Sequence, residues 1–110
     1  MNPWKVVYTE HAERDLRDIY KYIAFSLLEP ETAKKQTLRI MDTVAKLNTM
    51  PLRFPLYDKE PWHRKGLRVL PTDNYLAFYL LVEPLKSVAV IRVLHGGRDI
   101  DAQLQRTEET

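Results

Sequence analysis

The residues best suited to chemistry lie in one short run near the C-terminus, His95-Gly96-Gly97-Arg98-Asp99. A histidine can give or take a proton near neutral pH. An arginine can hold a phosphate through a planar, charged fork. Glycines between them allow a tight turn, through positive φ if needed, and let a basic side chain approach a ligand backbone. The same run also suits plain architecture, with Asp99 capping a helix and Arg98 paired to an acid. Arg68 and Arg92 fall inside strand-like runs, where arginine is costly unless exposed or paired. Arg92 is the single charge between Val88 and Leu94. Both arginines either face an anionic partner or sit at a wet edge or in an ion pair. Arg64 and Lys65 form a basic cluster with His63. Together with Arg92 they are candidates for binding a nucleic acid or another acidic target. His11, His63 and His95 are not spaced as metal ligands. The sequence contains no cysteine, which removes disulfides, thiolate metal sites and a thiol nucleophile. No glycine loop for nucleotide phosphates occurs, so neither a metal nor another cofactor is expected.

These residues belong to a chain of 110 residues, 45% apolar and 29% charged, with a net charge of +2. Such values suit a folded domain spanning 1–110, with residues 1–3 and 106–110 expected to fray. Residues 51–99 hold eight Lys and Arg against five Asp and Glu, a modest local basic excess. No apolar run approaches the roughly 20 residues of a membrane helix. The start, Met1-Asn2-Pro3-Trp4-Lys5, does not read as a signal peptide. A cytoplasmic location is expected.

The elements that must position the candidates follow from periodicity. Residues 4–8 read as a strand. Thr9 then caps a helix over about 10–28, whose stripe is Ala12, Leu16, Ile19, Tyr20, Ile23 and Leu27. Pro30 starts a second helix, with the stripe Ala33, Thr37, Ile40, Met41, Val44 and Leu47, which Pro51 ends. The short link predicts an antiparallel helical hairpin. Residues 51–65 are interrupted by Pro51, Pro55 and Pro61 but carry Phe54, Tyr57 and Trp62, which argues for a segment lying against the body. Strands are predicted at 67–70, 75–82 and 87–94, joined by short turns as a meander. One or two helical turns follow Arg98. The fold class is α+β, with the hairpin packed on one face of a small antiparallel sheet and a short C-terminal helix.

Strand 75–82 is apolar on both faces. The face turned from the hairpin is therefore expected to lie partly open and to receive a partner through Tyr75, Phe78 and Tyr79. The alternative is that residues 51–65 fold over it.

Several segments resemble the RelE/ParE toxins of bacterial toxin–antitoxin systems, the plasmid-stabilisation type. Thr9-Glu10-His11-Ala12-Glu13-Arg14-Asp15-Leu16, with Ile19 and Tyr22-Ile23, is similar to their opening helix. Leu47 and Met50-Pro51 resemble the end of the second helix. Gly66-Leu67-Arg68 and Asn74-Tyr75-Leu76-Ala77-Phe78-Tyr79 resemble the middle strands. Val90-Ile91-Arg92-Val93-Leu94-His95-Gly96-Gly97-Arg98-Asp99 is similar to the closing strand and its motif.

The resemblance implies a growth-inhibiting toxin neutralised by a cognate antitoxin. It implies one of two targets: messenger RNA cut on the ribosome, as in RelE-type mRNA interferases, or DNA gyrase, as in ParE-type inhibitors. A metal-independent nuclease must deprotonate a 2′-hydroxyl, stabilise a phosphorane and protonate a leaving oxygen. Under the resemblance His95, Arg98 and Arg68 would fill those roles. RelE-type nucleases generally carry an arginine where this chain has Leu76. The closing motif is nearer the ParE side. The rival expectation is a non-toxic, degenerate protein-binding module that keeps the fold.

Overall fold

The computed structural model describes residues 3–109. Met1, Asn2 and Thr110 lie outside the described residues, as do the side chains of Glu108 and Glu109. Part of the expected fraying falls there. Arg106–Glu109, also expected to fray, instead complete the last turn of a helix.

Strand β1 (Lys5–Tyr8) leads directly into helix α1 (Glu10–Lys21). Thr9 makes the transition, in extended conformation. Its Oγ1 accepts from the Ala12 N–H at 3.2 Å, satisfying one of the free donors of a helix N-terminus. The same hydroxyl donates to the Ile91 carbonyl at 3.2 Å, tying the cap to the sheet. α1 widens into one π turn at Tyr22–Ser26, and Leu28 takes a left-handed φ of 57° before Pro30 opens α2 (Pro30–Ala45). Ala12 on α1 and Ala33, Ile40 and Val44 on α2 are buried, as the stripes predict, whereas Tyr20, Leu27 and Met41 of the same stripes are exposed.

The remaining elements are α3 (Trp62–Lys65), β2 (Arg68–Thr72), β3 (Tyr75–Val82), β4 (Ser87–His95) and α4 (Ile100–Glu109). The sheet has four strands in the order β1-β4-β3-β2. β2, β3 and β4 form the predicted antiparallel meander. β1, however, pairs parallel to β4, Lys5 with Ser87 through Tyr8 with Val90. The sheet is therefore mixed and not purely antiparallel. Parallel neighbours need a long crossover, and everything from α1 to β3 supplies it here.

The β3–β4 register shifts after Phe78, which pairs with Arg92 while Tyr79 pairs with Val90. Ile91 is the extra residue of a bulge. The bulge allows Val90 and Val93 both to join the core under the hairpin, while Ile91 and Leu94 pack on the opposite face.

That opposite face is not bare, which corrects the expectation of an open apolar sheet. Residues 55–57 run along the free edge of β2, with Tyr57 N–H donating to Leu67 O at 2.7 Å and Val69 N–H to Pro55 O at 3.1 Å. The segment then crosses the face, where Trp62 and Leu67 meet Phe78, Leu94 and the α4 residue Leu104 in a second core. The Tyr57 ring meets Phe78 edge-on at 5.5 Å. An aperiodic segment carrying its own aromatic side chains can bury a sheet face as helices do, because the hydrophobic effect has no directional requirement.

Candidate functional site

Past the end of β1, the last residues of β4 keep β3 on one side and have no strand on the other. α1 fills the gap. Asp15 lies in the apolar stripe of α1 yet is buried. It accepts from the Val93 N–H at 2.9 Å and from both Nε (2.7 Å) and Nη2 (2.9 Å) of Arg92. Arg92 Nη1 reaches across to α4, donating to Gln103 O at 3.0 Å and Thr107 Oγ1 at 2.7 Å. This bidentate pair, with side chains 10% and 11% exposed, ties α1, β4 and α4 together. Arg92 is therefore not available to an external target, a correction with a plain cause: the single charge of β4 is balanced by the single acid in the α1 stripe.

Above this pair lies a groove of about 380 Å³. Asp15, Asp18, Ile19 and Tyr22 form the α1 wall. Tyr75 contributes from β3, and Val93, Leu94, His95 and Arg98 from β4 and the loop after it. The sheet brings Tyr75 and His95 directly opposite each other, with their rings edge-on at 5.4 Å. The His95 Nδ1 accepts from the Gly97 N–H at 3.0 Å. In neutral His95 the proton then resides on Nε2. A Cβ at Gly97 would sit 3.2 Å from the imidazole, so glycine there permits the close approach. The expected turn forms at Gly96-Gly97 without positive φ at either residue; among the described glycines only Gly66, at the end of α3, takes positive φ. Burial raises the Tyr75 hydroxyl above its ordinary pKa, and the nearby Tyr22 hydroxyl adds to the shift.

Arg98 donates its backbone N–H to His95 O at 3.1 Å. Its guanidinium is exposed and has no hydrogen bond or ion pair among the described residues. Asp99 caps α4, accepting from Ala102 N–H at 3.2 Å. The motif thus divides its work, with Asp99 architectural and His95 and Arg98 turned to the groove.

The other candidates lie elsewhere. Arg68 pairs opposite Tyr79, remote along the sheet from the Tyr75–His95 pair, and its Nη1 donates to the carbonyls of Phe54 (2.6 Å) and Leu52 (3.3 Å). It pins the 51–65 segment and does not join His95 and Arg98, which corrects its expected catalytic place. Arg64 and Lys65 are exposed on α3 and do not line the groove. Lys65 Nζ lies 5.0 Å above the Trp62 ring. Phe78 and Tyr79 are fully buried, so neither can be touched by a partner in this conformation. Tyr79 belongs to the core under the hairpin, and its hydroxyl donates to Pro51 O at 2.6 Å. Of the three residues expected to bind a partner, only Tyr75 reaches the groove.

Sequence reasoning missed Asp15, Asp18 and Tyr22. Asp15 carried a signal, as an acid within an apolar stripe. Asp18 read as an ordinary solvated charge. No group of three or more His, Cys, Asp or Glu among the described residues is placed to hold a metal, and no helix among them is long and apolar enough to cross a membrane.

The architecture matches chains of solved toxin–antitoxin systems. The chromosomal ParDE toxin–antitoxin system from P. aeruginosa contains a chain that superposes with a TM-score of 0.69 at 23% identity, covering 84% of this chain and 95% of that one. A chain of a RelBE toxin–antitoxin complex from Mycobacterium tuberculosis gives 0.61 at 21% identity, over 84% and 98%. A chain of the archaeal RelE–RelB complex from Pyrococcus horikoshii gives 0.51 at 13% identity, over 87% and 98%. At these identities the likeness is one of fold. A sequence comparison with curated proteins returned no match. The family model for the ParE toxin of the type II toxin–antitoxin system parDE matches residues 6–100, from β1 to the first residue of α4. On the strength of that match, the chain belongs to the ParE toxin family of type II toxin–antitoxin systems.

Proposed function

We propose that this protein inhibits growth by seating a target protein at the Tyr22–Tyr75–His95–Arg98 groove, with DNA gyrase as the target, and that a cognate antitoxin neutralises it. The observation that carries this reading is the fate of the arginines. Phosphoryl chemistry without a metal needs several cations converging on one phosphate. Arg92 is consumed by Asp15 and α4, and Arg68 is held by two carbonyls on another part of the sheet. Only Arg98 remains in the groove beside His95, and the exposed residue Asp18 lines the α1 wall of the same groove. A carboxylate there repels a phosphodiester but suits a protein surface of mixed charge. The antitoxin partner is supported by the family and by neighbours solved as toxin–antitoxin complexes.

The nuclease reading keeps one specific observation in its favour, the fixed His95 imidazole with its Nε2 proton. Purified protein separates the two. Blocked gyrase supercoiling, weakened at least tenfold (about 1.4 kcal/mol) by Arg98→Ala or His95→Ala, is the expected result. Ribosome-dependent mRNA cleavage with unimpaired supercoiling would replace gyrase with RNA. Induced cells that keep growing while the protein is soluble and folded would leave the degenerate, non-toxic module.

A further inference from the structure

The end of the sheet remote from His95 carries a surface of another kind. There the start of β1, the end of α2 and the β3–β4 turn meet: Trp4 N–H donates to Asn48 O at 2.8 Å and Lys5 N–H to Lys86 O at 2.9 Å. Three large aliphatic side chains stand out from this end and the segment that leaves it, Met50 (69% exposed), Leu52 (60%) and Leu85 (73%). Exposed cations accompany them, namely Lys5, Lys46, Arg53 and Lys86. The acids nearby in the chain are Glu83 and, one turn before Lys46, Asp42.

Two features define part of this surface. Met50 and Lys86 adopt left-handed backbone, at φ 50° and 49°, a conformation that disfavours residues with a Cβ. Leu28 and Asp73, in other turns, adopt the same conformation. Lys86 Nζ lies 5.5 Å over the Trp4 ring, and the Arg53 guanidinium 5.5 Å over Phe54. These contacts fix two of the charges beside the aliphatic trio.

We propose that this end is a second docking surface, for an acidic protein segment that carries aliphatic side chains. The cations select carboxylates, and Met50, Leu52 and Leu85 take the apolar contacts that give such a surface its residence time. A nucleic acid fits less well. It would engage the cations through its phosphates and leave the three apolar side chains without a counterpart. This inference goes beyond the groove reading and is independent of gyrase.

The test uses the full chain and a fluorescein-labelled helical peptide of about 16 residues with glutamates on one face and leucines on the other. Saturable binding is expected, falling at least tenfold as salt rises from about 50 to about 300 mM. Amide shifts should fall at Trp4, Met50, Leu85 and Lys86. Arg53→Glu combined with Lys86→Glu, and separately Leu85→Ser, should each weaken binding at least tenfold. Leu85 is exposed, so that variant stays folded. Shifts at His95–Arg98 instead, equal binding of a glutamine-for-glutamate peptide, or displacement of the peptide by a single-stranded DNA of similar length would each overturn the proposal.

Discussion

The two faces of the sheet are buried by different means. Under the hairpin, Ile40, Val44 and Leu47 of the α2 segment meet Tyr79, Val88 and Val90 in a core built from regular stripes. On the other face, Trp62, Leu67 and Leu104 come from an irregular segment and a terminal helix, and polar links fasten them. Arg68 grips two carbonyls, Tyr57 donates to Asp101 at 2.6 Å, and Arg92 reaches Thr107. One face is held by periodic hydrophobic packing, and the other by packing that depends on specific polar fasteners. The difference teaches where a substitution should act globally and where it should loosen only a covering.

The sharpest test of that contrast is the pair that joins both regions. Asp15→Asn leaves the Arg92 guanidinium buried without its counter-charge and should cost about 3–5 kcal/mol of unfolding free energy, measured by denaturant titration. A loss under about 1 kcal/mol would mean that α4 alone can hold Arg92. Core truncation comes next. Phe78→Ala on the covered face should cost about 3–5 kcal/mol and Ile40→Ala under the hairpin about 2–5. Hydrogen exchange should then separate them, with Phe78→Ala loosening 54–67 and α4 before the hairpin. Equal loosening of both faces would erase the distinction.

A smaller effect is expected from Arg68→Ala, about 1–3 kcal/mol, because two backbone carbonyls lose their donor. Protease cleavage within 51–65 should rise with it. Alkaline pH probes both faces together. Burial pushes Tyr79 up to about 12. Tyr57 is raised further, by burial and then by the Asp101 carboxylate. In the unfolded chain tyrosine ionises near pH 10. The folded protein keeps these protons longer, so stability is intact below about pH 10 and falls as pH rises through the folded values. Tyr57→Phe and Tyr79→Phe should each flatten part of that slope in midpoints taken against pH. The smallest effect is that of Lys59→Gln. Its bridge to Asp101 is fully exposed and screened, so the melting midpoint should not move measurably.

The contrast also explains what could be read from the chain alone. Both helices and the meander were legible because apolar spacing reports burial against a regular partner. The parallel pairing of β1 was not, since nothing within four residues encodes a neighbour 82 positions away. The covering of the far face was weighed and set second, because Tyr57, Trp62 and Leu67 follow no period that names their contact. In the site, His95 and Arg98 stood out through the motif that carries them. Arg92 was visible as a charge in an apolar run, but Asp15 read as one of the charges on the outer face of α1, so the two were not matched. Arg68 was misplaced because its partners are backbone carbonyls, which leave no mark in a sequence.

The parallel seam between β1 and β4 has a temporal consequence. A ribosome delivers Lys5–Tyr8 first, but the partner strand, Ser87–Val90, emerges only when most of the polypeptide has been made. Until then the opening strand has no place in the sheet, the Thr9 cap cannot fasten to Ile91, and the acid at position 15 has no arginine to meet. Non-local closure of this kind is slow and comes late. A chain cut short before β4 therefore lacks the neighbour of its first strand and the counter-charge of Asp15.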